Sequence, residues 1–100
     1  MTTLVRTREG EISITPAALQ QIVVHAAESI DGARVRRPRR GLEVTISDNR
    51  GRVTLELAAR YGAQLAELGS AVQERVAEAM RRMCEVEVDA VDVAIEELEP

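Results

Sequence analysis

The feature that most constrains the fold is a strict alternation of apolar and polar residues over residues 42–57, interrupted once by the segment Asp48-Asn49-Arg50-Gly51. The apolar positions are Leu42, Val44, Ile46, Val53, Leu55 and Leu57. Side chains in a strand alternate between its two faces, and Asp, Asn and Gly favour tight turns. The pattern therefore predicts a β-hairpin with one apolar face. In a chain of 100 residues, other elements of one small domain must cover that face.

A first helix is predicted before the hairpin. Thr15 is placed to cap the helix and Pro16 stands at its first position, where the missing N–H costs nothing. Asp31-Gly32 ends the pattern. The predicted apolar face comprises Leu19, Ile22, Val23, Ala26 and Ile30. Val24 is expected to point away from that face, beside His25.

A second helix is predicted after Tyr61-Gly62, where the apolar period changes from two to 3.6 residues. Its apolar stripe comprises Leu65, Leu68, Val72, Val76, Met80 and Met83. Gly69 lies beside this stripe, although a glycine inside a helix costs roughly 1 kcal/mol relative to alanine. We therefore expect the helix to approach the sheet closely at Gly69.

The ends of the chain complete the predicted order. Glu11–Ile14 alternates as a short strand does, whereas residues 1–9 have no clear period and are expected to be frayed. Residues 86–95 alternate but change phase, which predicts a bulge or kink at Asp89-Ala90.

The predicted fold is a single α+β domain over residues 10–97, followed by a tail at 98–100. Its order is β-α-β-β-α-β, and two helices pack on one face of a mainly antiparallel sheet. Residues 33–41 are predicted to form a loop around Pro38 that opens with a short edge strand.

The residues that could carry catalysis are few. His25 and Cys84 are the only residues of their kinds, and no pattern brings them together or gives them metal-ligand spacing. The carboxylates of residues 85–99 are interpreted as a solvated acidic run. We therefore expect no enzyme activity, no cofactor and no metal. Tyr61 is the only aromatic residue, which argues against nucleic acid as a partner because base stacking needs aromatic platforms.

An arginine cluster is the one concentration of charge suited to an anionic partner. Its members are Arg34, Arg36, Arg37, Arg39 and Arg40. Guanidinium groups match phosphate and carboxylate, so this cluster could bind nucleic acid, a lipid headgroup surface or an acidic partner helix. The other interpretation is a solvated or self-pairing loop. Residues 1–60 carry ten basic and seven acidic side chains, and residues 61–100 carry three and ten, which we interpret as a charge dipole that favours association.

The distribution of apolar residues and cysteine indicates a cytoplasmic protein. No run of consecutive apolar residues exceeds three, whereas a membrane-spanning helix needs roughly 20. The single cysteine cannot form an intramolecular disulfide, which suits a reducing compartment.

In this order, the motifs resemble the alkaline shock protein family, also called the Gls-type envelope stress response proteins. The resemblance covers residues 9–97. Its most specific parts are Tyr61-Gly62, the segment Val72-Gln73-Glu74-Arg75-Val76 and the phase change in Val86–Ile95. The segments Gly10–Pro16, Ile30–Gly32 and Gly41–Val44 support it.

The resemblance implies a non-enzymatic protein of the cell-envelope stress response, with no catalytic residues to assign. It implies attachment to the inner face of the cell membrane through a separate membrane-anchored partner. Together with the charge dipole, the resemblance favours a protein that acts by self-association and by docking onto that partner. The sequence departs from the family where the arginine cluster replaces a short apolar, glycine-containing stretch after the first helix.

Overall fold

The structure is a computed structural model that describes residues 3–36 and 41–98. In chain order, its elements are β1 (Thr3–Thr7), β2 (Gly10–Ile14), α1 (Pro16–Glu28), β3 (Ala33–Val35), β4 (Glu43–Ser47), β5 (Arg50–Ala59), α2 (Leu65–Cys84) and β6 (Glu87–Glu97). The predicted α+β class is confirmed, and the structure adds β1 to the predicted order. The short strand expected at the start of residues 33–41 is β3.

Strand β5 is the centre of the main sheet. Along one of its edges, β4 pairs antiparallel with its first half and β3 pairs antiparallel with its last three residues. Strand β6 runs parallel to β5 along the opposite edge, with Leu55 opposite Val93. Most pairings are antiparallel, as predicted, and the parallel one follows from the crossover through α2.

The β4–β5 hairpin forms as the alternation predicts. Its turn consists of two residues, Asp48 and Asn49, which both have positive φ (52° and 60°), as a type I′ turn requires. Gly51, predicted to lie in the turn, is the second residue of β5. The register places Val44 beside Val53 on the face that the helices cover.

Both helices lie on one face of the main sheet, as predicted. Thr15 caps α1, since its Oγ1 accepts a hydrogen bond from the Ala18 N–H at 3.2 Å. Helix α1 contacts β3 and β4, α2 contacts β6, and the two helices contact each other. The core between helices and sheet includes Leu19, Val23, Val53, Leu55, Leu57, Val72, Val76 and Met80.

The structure corrects two helix predictions: Val24, expected to point away from the apolar face of the first helix, and Met83, expected on the apolar stripe of the second. Val24 is only 5% exposed, because α1 contacts both the sheet and α2 and buries an arc wider than one stripe. Met83 is 56% exposed. The buried positions of α2 advance in steps of four from Val72 to Cys84, and Met83 lies about 100° around the helix from Cys84.

Residues 3–7 form a strand where the sequence predicted a frayed end, and residues 1 and 2 of that prediction lie outside the described residues. Strand β1 pairs with β2 from Thr3↔Ile14 to Thr7↔Gly10, and this two-stranded sheet is separate from the main sheet. Leu4 and Ile12 are 54% and 50% exposed and lie on opposite faces of the hairpin. Neither face is fully covered, so no alternating pattern marks β1 in the sequence.

Two local predictions for the last strand and its packing are confirmed. The register passes from Gly51↔Val88 to Arg52↔Ala90, so Asp89 is the extra residue of a bulge. A Cβ atom added at Gly69 would lie 3.2 Å from Ile95 Cδ1, so α2 does approach β6 closely at this glycine.

Candidate functional site

The structure places two members of the arginine cluster, while Arg37, Arg39 and Arg40 lie outside the described residues. Arg34 is exposed on β3, on the sheet face away from the helices. Arg36 Nη1 lies 2.9 Å from Glu96 Oε2 and 3.9 Å from Glu56 Oε1. Arg36 therefore pairs with acidic side chains of its own chain, as the self-pairing interpretation predicts. It does not form part of a free anion-binding site among the described residues.

The charge difference between the two halves of the sequence does not become a simple dipole in the fold. Strand β6, which carries much of the acidic charge, lies directly beside β5. The Arg50 Nε–H lies 2.9 Å from Asp89 Oδ1 and 3.1 Å from Oδ2, and Arg50 Nη2 also donates to Asp89 Oδ1. These hydrogen bonds lower the pKa of Asp89 and raise that of Arg50. Pairing across strands thus neutralises part of the charge difference that the sequence shows.

The two residues considered for catalysis have different environments. His25 is exposed on α1, whereas the Cys84 side chain is 1% exposed at the end of α2. Burial raises the pKa of the Cys84 thiol, so the thiol stays protonated and unreactive near neutral pH. Across residues 3–36 and 41–98, no group of three or more His, Cys, Asp and Glu side chains is arranged to hold a metal ion.

The helical layer carries a groove between α1 and α2, which we call the helix groove, with a volume of about 410 Å³. Its apolar lining comes from Ile22 and Ala26 of α1 and from Ala79 and Met83 of α2. Its charged or titratable lining residues are His25, Arg75 and Arg82.

The helix groove is locally basic in a chain whose net charge is −4. Among the described residues that line it, none is acidic. Arg75 Nη1 donates to Ser29 Oγ at 3.1 Å, which holds this arginine across the two helices. Arg82 is 69% exposed and makes a long contact of 3.5 Å with Glu78. The groove therefore combines apolar surface with cationic side chains.

Sequence reasoning missed the helix groove because it assigned Met83 to the core. The signal that could have found it is the step of four residues from Met80 to Cys84, which leaves Met83 off the buried stripe. Methionine is flexible and polarisable, and it is common at surfaces that bind partner helices.

A second depression, of about 680 Å³, lies at the end of β3 and β5. Tyr61 and Leu98 give it exposed apolar surface, at 59% and 50% exposure. Its charged residues are mixed in sign, and Arg60 Nη2 lies 3.0 Å from Asp31 Oδ2. This depression therefore favours no single ligand charge.

Together, the fold and these surfaces define a small two-layer α+β domain with two helices on one face of a mixed sheet. The chain belongs to the alkaline shock protein 23 family, which has a cell envelope-related function; the model of the family matches residues 33–100. The resemblance drawn from the sequence motifs is thereby confirmed. The match begins at β3 and leaves β1, β2 and α1 outside it.

Solved structures of the MamM CTD share the fold. A zinc form is 22% identical with a TM-score of 0.65, covering 84% of this chain and 87% of its own. A cadmium form is 24% identical with a TM-score of 0.65, and the match covers 85% of this chain and 100% of the MamM CTD chain. The MamM CTD comprising its residues 215–293 is 24% identical with a TM-score of 0.63, covering 82% and 98%. At this identity the likeness concerns the fold alone.

No curated protein matches the sequence. Within the described part of the chain, no helix has the length and apolar character needed to span a membrane.

Proposed function

We propose that this protein is a non-enzymatic interaction protein of the cell-envelope stress response. It acts in the cytoplasm at the inner face of the cell membrane, where it self-associates and docks onto a membrane-anchored protein. Membership of a family with a cell envelope-related function supports this setting. The observation that carries the proposal is the helix groove, in which the exposed Met83 and the half-buried Ile22 lie among cationic side chains.

The chemistry of the helix groove favours a helical segment of a partner as its ligand. Such a segment would place an apolar stripe on Ile22 and Met83 and acidic side chains near Arg75 and Arg82. Ala26 and Ala79 are small, so they allow the backbone of a third helix to come close. Opposite charges across the contact would select this partner and speed its association.

Capture of crosslinked complexes from native cells tests the docking. The variant is Arg82→Glu, which reverses a charge in the groove at an exposed position. Its matched control is Arg81→Glu, the same change at the neighbouring exposed residue of α2, which does not line the groove. We expect the wild type and Arg81→Glu to capture the same small membrane protein, and Arg82→Glu to lose it. Equal capture by both variants would remove the helix groove from the proposal.

Light scattering after size exclusion tests self-association. We expect the mass to rise with concentration and to change between low and high salt, because charged surfaces take part. If the chain keeps the mass of a monomer at high micromolar concentration, in both low and high salt, this result would argue against self-association.

The alternative function is binding of an anionic surface or nucleic acid through the arginine cluster. One observation favours it: Arg34 is exposed and has no ion pair within the described residues. Binding would then weaken with salt at a log–log slope of about −0.7 to −0.9 per phosphate contacted. Replacing all five arginines of the cluster with Ser would abolish it. No binding at low salt would eliminate this alternative.

A further inference from the structure

The direction of the backbone groups in β6 shows which of them face away from the main sheet. The Leu98 N–H donates to Ala59 O at 2.8 Å, so Leu98 faces β5. Successive residues of a strand point their N–H and C=O groups to opposite edges, and the register is regular after the bulge at Asp89. Val93, Ile95 and Glu97 therefore direct their backbone groups to the outer edge of β6.

One position of this outer edge is already occupied by α2. The side chain of Gln73 donates from Nε2 to Val91 O at 2.9 Å. Beyond Val91, β6 pairs only with β5, and no described residue bonds to the outward backbone groups of residues 93–97. A five-residue length of strand edge is thus open to pairing.

The charges on β6 decide which kind of strand fits this edge. Strand β6 has no basic residue, and the acidic residues in and beside the open length are Asp92, Glu96 and Glu97. Glu96 pairs with Arg36, whereas Asp92 is exposed and has no ion pair among the described side chains. Two β6 strands side by side would bring like charges together, which is unfavourable. Strands β2 and β4 each carry one acidic residue and no basic one, so they fit poorly as well.

Strand β1 fits the open edge in length, charge and availability. It has five residues and carries Arg6 without an acidic residue. It belongs to a hairpin that pairs with no other strand of the described chain, and a two-stranded hairpin alone is only marginally stable in water. Addition to a larger sheet would supply the neighbours that it lacks.

We propose that β1 of a second copy of this chain adds to the outer edge of β6 along residues 93–97. This inference rests on the proposed self-association and names the two segments that make it. The contact is heterologous, since each copy offers β1 at one site and the β6 edge at another. Backbone hydrogen bonds would supply the affinity, and Arg6 opposite the acidic strand would select the pairing.

The sharpest test reverses the charge of β1 without breaking its hairpin. Arg6 Nη2 lies 3.2 Å from Glu11 Oε2, so the double variant R6E/E11R keeps an ion pair across the hairpin while making β1 acidic. We expect the dissociation constant for self-association to rise about tenfold. The matched control is Arg8→Glu, in the turn outside β1, which should leave the dissociation constant within about twofold of the wild type.

Mixing two variants tests the direction of the contact. Asp92→Arg gives β6 a basic residue, so a mixture of R6E/E11R with Asp92→Arg should associate more strongly than R6E/E11R alone.

In the wild type, amide exchange of Val93, Ile95 and Glu97 should slow as concentration rises.

The outcomes separate this inference from the proposed function. Self-association that leaves these amides unprotected, or that R6E/E11R does not weaken, would overturn the β1–β6 contact and leave self-association standing. A wild-type chain that stays monomeric would overturn both. Capture of a membrane protein through the helix groove is measured independently of either.

Discussion

Met80 and Met83 lie three residues apart on α2, yet one is fully buried and the other is 56% exposed. This pair allows the same substitution to be compared in two environments. We expect Met80→Ala to lower the free energy of unfolding by about 2–5 kcal/mol, because it leaves a cavity in the core. Met83→Ala should cost less than about 1 kcal/mol. Urea denaturation of both variants measures the difference, and equal losses would contradict the assignment of Met83 to the surface.

The bulge residue Asp89 makes stability depend on pH. Its pKa is lowered in the folded state, first by the hydrogen bonds from Arg50 and then by the charges of Arg50 and Arg52. A lowered folded pKa means that the stabilisation is present above the unfolded pKa, near 3.9, and is lost as pH falls through the folded value. We expect Asp89→Asn to be less stable than the wild type at pH 7 and the difference to shrink as the pH falls below the unfolded pKa and through the lowered folded pKa.

The control for this prediction is Asp92→Asn, on the same strand and exposed, without an ion pair among the described side chains. Denaturation at pH 7 and at pH 2.5 should show little change in its stability relative to the wild type. An Asp89→Asn deficit that persists unchanged at pH 2.5 would show that the carboxylate charge is not its source.

At the scale of elements, the contact of α2 with β6 at Gly69 can be tested by a double-mutant cycle. Alanine favours a helix over glycine by roughly 1 kcal/mol, but a Cβ at this position would press on Ile95 Cδ1 at 3.2 Å. We expect Gly69→Ala to be nearly neutral in the wild type and to stabilise the Ile95→Val chain, which lacks Cδ1, by about 1 kcal/mol. Equal effects in both backgrounds would mean that Ile95 does not limit this position.

The elements that could be predicted from the sequence are those with one buried face. The β4–β5 hairpin, the bulge at Asp89 and the close approach at Gly69 all leave a local signature in period or composition. Strand β1 leaves no such signature in the sequence, because neither face of the β1–β2 hairpin is fully covered by the rest of the fold. The burial of Val24 depends on how the two helices pack together, which no single helix encodes. The helix groove was missed for a different reason: Met83 was assigned to the core, although the buried residues of α2 advance in steps of four that leave it out.

At the scale of the whole molecule, the N-terminal hairpin is separable from the main sheet. The described molecule extends 52 × 23 × 18 Å, and β1 and β2 pair only with each other. We expect deletion of residues 1–14 to leave a chain that unfolds cooperatively and is destabilised by less than about 1.5 kcal/mol, mainly through loss of the partly buried Ile14. Calorimetry measures this, and loss of the unfolding transition would show that the hairpin supports the core.

The same deletion distinguishes stability from assembly. Thr15 remains in the shortened chain, so the cap of α1 is kept. If β1 supplies the contact between copies, the shortened chain should be monomeric at concentrations at which the full chain associates.

The central position of β5 also sets the order in which the sheet can assemble. Its pairing with β4 closes through a two-residue turn, a local step that takes microseconds in isolated hairpins. Its pairing with β6 must wait for the whole of α2, because a parallel neighbour requires a crossover. The β4–β5 hairpin is therefore the expected folding nucleus. The docking of β6 is expected to complete the native state, and its release is expected to be the first step of partial unfolding.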